Sequence, residues 1–292
     1  MRICLLSRNP GAYSTQRLVA AAQARRHSVL VVDYPRCHCL LGSVPLVVYG
    51  GHALAGFDCV LPRIASGPEA AWGAAIVGQF ETMGVAALNA GQGILCAADK
   101  ARALQALVGA GLPVPRTAIG HASADKDLLL QEVGGPPVLL KPLFGTQGAG
   151  IKLGKTRQAA ERTIAARQQA GSNFMLQEFI AEAGGKDLRL IVLAGRVIAA
   201  MQRVARPGEF RSNLHRGGTS LPVQPSAAEK RLARRAAAAV GLQFAGVDLI
   251  RSRRGPLVLE VNASPGLEGI EATTGVDIAG KVICAMERQC GT

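Results

Sequence analysis

The chain has 292 residues, 49% of them apolar and 18% charged, which excludes a disordered protein and leaves room for two or three cores. Lys and Arg outnumber Asp and Glu by 33 to 20, a formal charge of +13, and this favours acidic ligands: nucleotides, nucleic acid or an acidic polypeptide. Aromatics make up only 4%, with a single Trp72, and no zinc-finger or RNP-type run appears, so specific nucleic-acid recognition is not indicated.

Residues 3–6 read as a first strand, too short for an export signal, and no apolar run approaches a membrane span. A helix that Ser14 can cap runs through Arg26, and a second strand covers 29–33. Strands at 57–62 and 85–89 flank a helix from Glu69 to Met83, and short apolar strands alternating with helices argue for a parallel α/β domain. It lacks the G-x-G-x-x-G dinucleotide fingerprint. The seven cysteines are scattered without a C-x-x-C pair, as expected for reduced thiols in the cytoplasm. Cys37-His38-Cys39 is the one tight cluster, but it lacks a fourth ligand and the usual metal spacing.

Asp99 caps the next helix, which ends near Gly111, and Leu112-Pro113-Val114-Pro115 opens an extended segment. A strand over 136–142 ends in Lys141, the glycine loop 145–150 follows, and another strand covers 151–153. A helix through Ala170 and a strand at 174–177 complete a small α+β unit. Strands at 188–193 and 197–201 precede a loop holding Phe210-Arg211-Ser212-Asn213. Ser226-Ala227-Ala228-Glu229 is a capping-box start for a helix that stops at Gly241. Its basic run, Lys230 to Arg235, reads as a solvated face. The last helix spans 277–289.

Between those two helices lies the most informative stretch. Gly246-Val247-Asp248 and Leu259-Glu260-Val261-Asn262 are short alternating strands joined by the turn residues Arg253-Arg254-Gly255-Pro256. A turn centred near Arg254 places Asp248 across from Glu260 and Gly246 across from Asn262. Period two then gathers Asp248, Glu260 and Asn262 on one face, with Leu259 and Val261 on the other. Facing carboxylates repel unless a positive charge intervenes, and a hard divalent cation with oxygen ligands is the simplest answer. A solvated strand edge is the alternative.

Several features supply the phosphate partner such a cation wants. Gly145, Gly148 and Gly150 allow backbone N–H groups to approach phosphate oxygens, although a tight hairpin would use the same glycines. The loop is not a Walker A motif, because a strand follows it. Lys141, at the end of an apolar strand, needs an anion. Arg211, Ser212 and Asn213 pack a permanent cation and two hydrogen-bonding side chains into one loop, and Arg216 adds a second guanidinium beside Gly217-Gly218. Taken together, these residues favour an ATP site.

On these residues the chain resembles the ATP-grasp ligases, and most closely the RimK family of ribosomal protein glutamate ligases. The similarity runs through Leu6-Ser7-Arg8, Pro62-Arg63-Ile64, Gly145 to Gly150, Phe210 to Gly218, and Glu260 to Ile270. It implies an α/β ATP-grasp fold: an N-terminal parallel pre-ATP-grasp domain (1–97) and an ATP-grasp domain (98–292). Two α+β subdomains (98–178 and 179–292) of the latter enclose ATP. It implies phosphate contacts from Lys100 and Lys141, and adenine and ribose contacts from Glu178, Phe179 and Asp187. Arg211, Ser212 and Asn213 would approach the triphosphate and the intermediate. Asp248, Glu260 and Asn262 would hold two Mg²⁺ or Mn²⁺ ions. Arg203, Arg211 and Asn213 are the implied catalytic residues, and Arg8, Arg63 and Arg216 the implied acceptor contacts. Gln202 departs from the acidic residue expected in close relatives. The implied reaction activates a carboxylate as an acylphosphate and joins it to the amine of L-glutamate. The implied acceptor is an acidic protein C-terminus, that of a small-subunit ribosomal protein, or an acidic small molecule, and a homo-oligomer is compatible with the family. A reading of another class is a nucleotide-regulated ribosome- or RNA-binding protein.

Overall fold

The structure is a computed structural model that describes residues 1–67, 69–145, 148–212 and 217–291. The first unit comprises β1 (Arg2–Leu6), α1 (Tyr13–Ala24), β2 (Ser28–Val32), β3 (Cys37–Leu40), β4 (Leu46–Tyr49), β5 (His52–Ala53), β6 (Cys59–Pro62), α2 (Ala70–Thr82), β7 (Ala86–Ala87) and α3 (Gly91–Ala98). Its main sheet has the order β2-β1-β6-β7, with every pairing parallel. Ile3 to Leu6 and Cys59 to Leu61 are almost wholly buried, as strands covered on both faces must be. One expectation needs correction here. Ser14 does not cap α1, whose N-cap is Ala12; the serine hydroxyl instead accepts the Leu267 N–H. Residues 37–53, to which no element was assigned, form the antiparallel sheet β3-β4-β5, with Gly50-Gly51 turning between β4 and β5. Within β3 the pleat separates the cluster's side chains, leaving Cys37 buried and His38 exposed.

The second unit contains α4 (Lys100–Gly109), β8 (Thr117–Gly120), α5 (Lys126–Glu132), β9 (Val138–Pro142), β10 (Lys152–Gly154), α6 (Arg157–Gln169) and β11 (Phe174–Glu178). Asp99 caps α4 by accepting from Ala101 N and Arg102 N. The sheet order is β10-β9-β11-β8, all antiparallel. Leu130, Val138, Leu140, Ile164, Phe174 and Leu176 give this unit a core of its own.

The third unit contains β12 (Lys186–Leu193), β13 (Arg196–Val204), β14 (Thr219–Pro222), α7 (Ala227–Val240), β15 (Phe244–Ser252), β16 (Gly255–Asn262), α8 (Glu268–Thr274) and α9 (Ile278–Cys290). Its antiparallel sheet has the order β14-β13-β12-β15-β16. Ser226 and Glu229 form the expected capping box of α7, and Gly241 ends the helix at φ 80°. Lys230, Arg231, Arg234 and Arg235 lie on its exposed face, with Leu232, Ala233, Ala236 and Ala237 buried beneath. One continuous core joins Ile3 and Leu5 of β1 to Ile191, Phe244, Ile278 and Ile283. The first and third units are thus welded together, and the second has a small core of its own while Leu104, Leu107, Leu112 and Met175 join the core shared with the other two. The fold is α/β, with a cleft between two antiparallel sheets.

Candidate active site

The β15–β16 hairpin carries the expected facing residues: Asp248 pairs with Glu260 and Gly246 with Asn262. The route to this register differs from the one the turn residues suggested. Ser252 pairs with Gly255, so the turn is Arg253-Arg254, and a bulge between Asp248 and Leu249 leaves Leu259 as the extra residue of β16. Without the bulge, the register would slip by one and Glu260 would rotate to the wrong face. As the bulged residue, Leu259 joins Glu260 in lining the cleft, against the expectation that it shared a face with buried Val261.

Positive charge does stand beside the carboxylates, and it comes from guanidinium groups. Arg189, paired with Asp248 in the β12–β15 register, donates to both Asp248 oxygens at 2.7 Å and lies 3.9 Å from Glu260 Oε1. Arg203 donates to Asp248 at 2.8 Å and grips Asp187 with two bonds of 2.7 and 2.8 Å. Ser212 Oγ donates to the same Asp187. Burial alone would raise the Asp248 pKa, but the two arginines overcome it and hold the carboxyl well below its ordinary range. Arg203 shows the reverse balance: burial works against its charge, and Asp248 and Asp187 together raise its pKa. Glu260 is raised, first by the crowding of the cleft walls and then by Asp248. Its side chain is nonetheless 44% exposed to the cleft, and Asn262 Nδ2 donates to it at 3.2 Å.

Among the described residues no three His, Cys, Asp or Glu side chains converge as a metal cluster. The hard oxygen donors available are the carboxylates of Asp248 and Glu260 and the Asn262 amide oxygen, which accepts no hydrogen bond among the described residues. This donor set suits Mg²⁺ or Mn²⁺ completed by phosphate oxygens. Glu260 and Asp248 line the cleft and Asn262 its adjoining pocket, with Asp248 held by Arg189 and Arg203.

The cleft, about 850 Å³ with its open mouth, is lined by the apolar side chains Leu139, Ile151, Phe179 and Leu259 and by the polar Lys141, Asp187, Arg203 and Arg211. That combination of apolar walls and a few convergent polar groups is the usual make-up of a ligand site. Lys141, on β9, donates to Gln177 Oε1 at 2.6 Å, and Gln177 in turn donates to Thr117. Burial lowers the Lys141 pKa to about 8 against the pull of Glu260. Lys100 is also lowered by burial, and its Nζ donates to the Gly145 carbonyl at 2.9 Å. It lines the adjoining pocket with Ser66, Glu260 and Asn262. Gly145, Gly148 and Gly150 all have positive φ, 131°, 68° and 72°, so a side chain at any of them would strain the loop. Arg211 pairs with Glu209 and reaches the Gly148 carbonyl, bringing the glycine loop and the 210–212 segment together. Phe179 and Phe210 meet edge to face at 6.1 Å beside it. Glu178 is taken by Arg116 and Arg254.

The first unit holds the segment that follows Asn262. Arg63 Nη2 donates to Pro265 O at 2.7 Å. Buried Asn89 donates to Ala263 O and Phe244 O and accepts from Gln243 N and Phe244 N. Ser14 Oγ accepts from Leu267 N. Side chains from three separate elements thus fix the backbone that presents the carboxylate face.

Residues 97–286 match the RimK-like ATP-grasp domain, and residues 1–94 match the RimK pre-ATP-grasp domain. The chain belongs to the RimK family of ATP-grasp proteins. A relative from Pseudoalteromonas translucida, named "Probable alpha-L-glutamate ligase", is 50% identical over 99% of this chain and 96% of its own length. One from Picosynechococcus with the same name is 48% identical over the same shares. Among solved structures, the ATP-grasp ligase PsnB complexed with a minimal precursor superposes with a TM-score of 0.76 at 25% identity, covering 99% of this chain and 98% of that one. The same ligase is also known with a phosphomimetic precursor variant, Mg and ADP, with the same score and identity.

For this RimK-family chain the cleft gathers Lys141, Gly148, Glu178, Phe179, Asp187, Arg203, Arg211, Ser212, Asp248 and Glu260 along one wall system, with Lys100, Gly145 and Asn262 at the adjoining end. Gly150 stays at the loop's exposed side. Asn213 and Arg216 lie outside the described residues. Arg8 is not in the cleft; it pairs with Glu69 at the surface. Gln202 sits between Met201 and Arg203 on β13, so its side chain leaves the sheet on the face opposite Arg203. Sequence reasoning missed Arg189 and Asn89. Arg189 had a usable signal, the alternation Leu188-Arg189-Leu190 on a strand long enough to pair with the hairpin. Asn89 had none, since its partners are backbone groups more than 150 residues away.

Proposed function

We propose that the chain activates an acceptor carboxylate with ATP as an acylphosphate and then joins it to the amine of L-glutamate, the acceptor being the acidic C-terminus of a small-subunit ribosomal protein. The chain is an ATP-dependent glutamate ligase of the ATP-grasp type. The observation that carries the phosphate-activation part of this reading is the juxtaposition in one cleft of Lys141, Arg203, Asp248 and Glu260, with Asn262 lining the adjoining pocket and Arg189 bound to Asp248.

In this reading Leu139, Ile151 and Phe179 receive the adenine, with Glu178 and Asp187 nearby. Lys141 and Lys100 hold phosphate oxygens, and the glycine loop with Arg211 closes over them to exclude water. Asp248, Glu260 and Asn262 are the residues that would hold Mg²⁺ or Mn²⁺, which withdraws charge from the transferred phosphoryl group when bound. Arg203, locked by two carboxylates, is a fixed donor for the oxyanion that forms when the amine attacks, a role commonly worth about 3 kcal/mol. Asn213 and Arg211 belong to the same catalytic set. No side-chain nucleophile is needed.

Domains divided at 97/98 and again at 178/179 accord with the separate core of the second unit. A polypeptide acceptor is supported by the precursor carried by PsnB and by this chain's charge of +13. Among the described residues no helix is long and apolar enough to cross a membrane, in keeping with a cytoplasmic site of action. The test is ADP release measured with and without L-glutamate and an acidic-tailed acceptor. Release that requires both supports the reading. Salt-sensitive RNA binding without turnover would replace it with the nucleotide-regulated binding protein.

A further inference from the structure

Helix α7 presents a charged face that the cleft does not use. Lys230, Arg231, Arg234 and Arg235 are all exposed, and they lie within about 7.5 Å of one another along the helix axis. Lys230 with Arg234 and Arg231 with Arg235 are like charges four residues apart, an arrangement that works against the helix. The single acid of α7, Glu229, is buried and bound to the Ser226 N–H and to Arg251. Among the described residues none of the four exposed cations is in an ion pair, and Arg235 alone makes a side-chain hydrogen bond, to Ala110 O at 2.8 Å. Elsewhere the chain gives Arg189, Arg203, Arg211 and Arg251 a carboxylate each. A face that served solubility alone would mix both signs of charge; this one carries a single sign and calls for an external anion.

The fold sets this face apart from the catalytic cleft. Leu232, Ala233, Ala236 and Ala237 share a core with Leu188, Leu190, Val247 and Leu249. Those strand residues alternate with Asp187 and Asp248, which line the cleft from the other side of the sheet. The α7 cations therefore point away from the cleft and do not reach a carboxylate bound in it. The remaining exposed positions of the helix between them and its ends are Ala227, Ala228 and Ala238, so the face lacks the aromatic and large apolar side chains that anchor a protein interface. A phosphate backbone needs no such anchor: rows of Lys and Arg bind it, and guanidinium forks match its oxygens. We propose that the exposed face of α7 is a docking surface for the phosphate backbone of RNA, held without reading its sequence. The choice of RNA among polyanions rests on the reading of the acceptor as a ribosomal protein. The surface holds the ribonucleoprotein particle and leaves the cleft free for the acceptor's tail.

The test is fluorescence anisotropy of a labelled RNA duplex titrated with the full chain over a series of salt concentrations, with labelled poly-L-glutamate titrated in the same way. Wild type is compared with a combined Lys230→Gln, Arg231→Gln and Arg234→Gln variant, which keeps Arg235 and its bond to Ala110. Glutamine is a good helix former, and circular dichroism checks that α7 persists. A second variant, Arg231→Lys with Arg234→Lys, keeps the charge. The glutamine variant should bind RNA about tenfold or more weakly at ~0.1 M salt, and its slope of log affinity against log salt should shrink by about 2–3, as for three lost phosphate contacts. The lysine variant should keep the wild-type slope. ADP release with L-glutamate and a free acidic peptide should be the same in all three proteins. RNA binding that weakens in the glutamine variant, without glutamate-dependent ADP release by the wild type, would remove the ligase reading and leave the RNA contact standing. The docking surface is overturned if the wild type shows no salt-sensitive RNA binding, or if the glutamine variant binds RNA as wild type does. It is also overturned if poly-L-glutamate binding falls as far as RNA binding or further, which would assign the face to an acidic polypeptide.

Discussion

Replacing Asn89 by alanine tests whether the first unit holds the carboxylate face in place. Asn89 is 1% exposed, and its amide serves four backbone groups: Phe244 O, Ala263 O, Gln243 N and Phe244 N. Alanine leaves all four without their partner in a site where Phe244 and Ala263 are themselves buried. Gln243 is exposed, so at the low end of ~1–3 kcal/mol for each of the three unsatisfied groups on buried Phe244 and Ala263 the loss comes to about 3 kcal/mol. That is a large fraction of the roughly 5–15 kcal/mol that stabilises a typical domain. Urea unfolding followed by fluorescence and circular dichroism should show the midpoint fall with the slope unchanged. Because the hydrogen bond to Ala263 O lies next to Asn262, the folded variant should also need more Mg²⁺ for half-maximal ADP release. A stability loss under about 1 kcal/mol with unchanged Mg²⁺ dependence would refute the reasoning, since exposed substitutions stay within about ±0.5 kcal/mol.

Glu260→Gln should abolish most nucleotide turnover while the fold persists; near-normal ADP formation by a folded variant would remove Glu260 from the metal face. Lys141 is held at about 8 by burial, so it is charged below that pH and neutral above it, and ATP affinity should fall as pH rises from 7 to 9. Lys141→Met should bind ATP more weakly and lose that part of the pH slope; an unchanged dissociation constant would count against a phosphate role. Arg203→Met leaves Asp187 uncompensated and strips Asp248 of one of its two arginines, a loss of about 3–5 kcal/mol for a broken buried pair. Unfolding midpoints within experimental scatter of wild type would contradict that. Asp248 has a folded pKa below its ordinary 3.8, so its network stabilises the protein above that pH and the contribution fades as pH falls below it. An acid-unfolding profile insensitive to Arg189→Met would argue against this linkage.

Much of the site was legible because alternation is a strict rule on strands. Asp248, Glu260 and Asn262 were readable as one face from spacing alone, and Lys141 from its place at the end of an apolar run. The register came out right although the turn sits at Arg253-Arg254, because the bulge at Leu259 restores the pairing; nothing in a run of aliphatic residues announces a bulge. The part that Arg189 plays in balancing the carboxylates was missed for a different reason. Local pattern shows that two carboxylates face each other, but which strand lies beside them is a matter of topology, and β12 with Arg189 enters from nearly 60 residues away. Capping chemistry was dependable where the partner is local, as at Asp99 and Ser226, and failed at Ser14, whose hydroxyl is claimed by Leu267. The sheet at 37–53 escaped notice because its strands are only two to four residues long, although Gly50-Gly51 between β4 and β5 was a usable hairpin signal.

Mass spectrometry of an acidic-tailed small-subunit ribosomal protein, incubated with this chain, ATP, Mg²⁺ and L-glutamate, tests the central claim most directly. A ligase acting on that tail yields a ladder of added glutamyl residues that disappears without ATP and in Glu260→Gln. An unmodified protein alongside glutamate-dependent ADP release would contradict the proposed acceptor and move the reaction to a small molecule, and no glutamate-dependent ADP release at all would contradict the ligase itself.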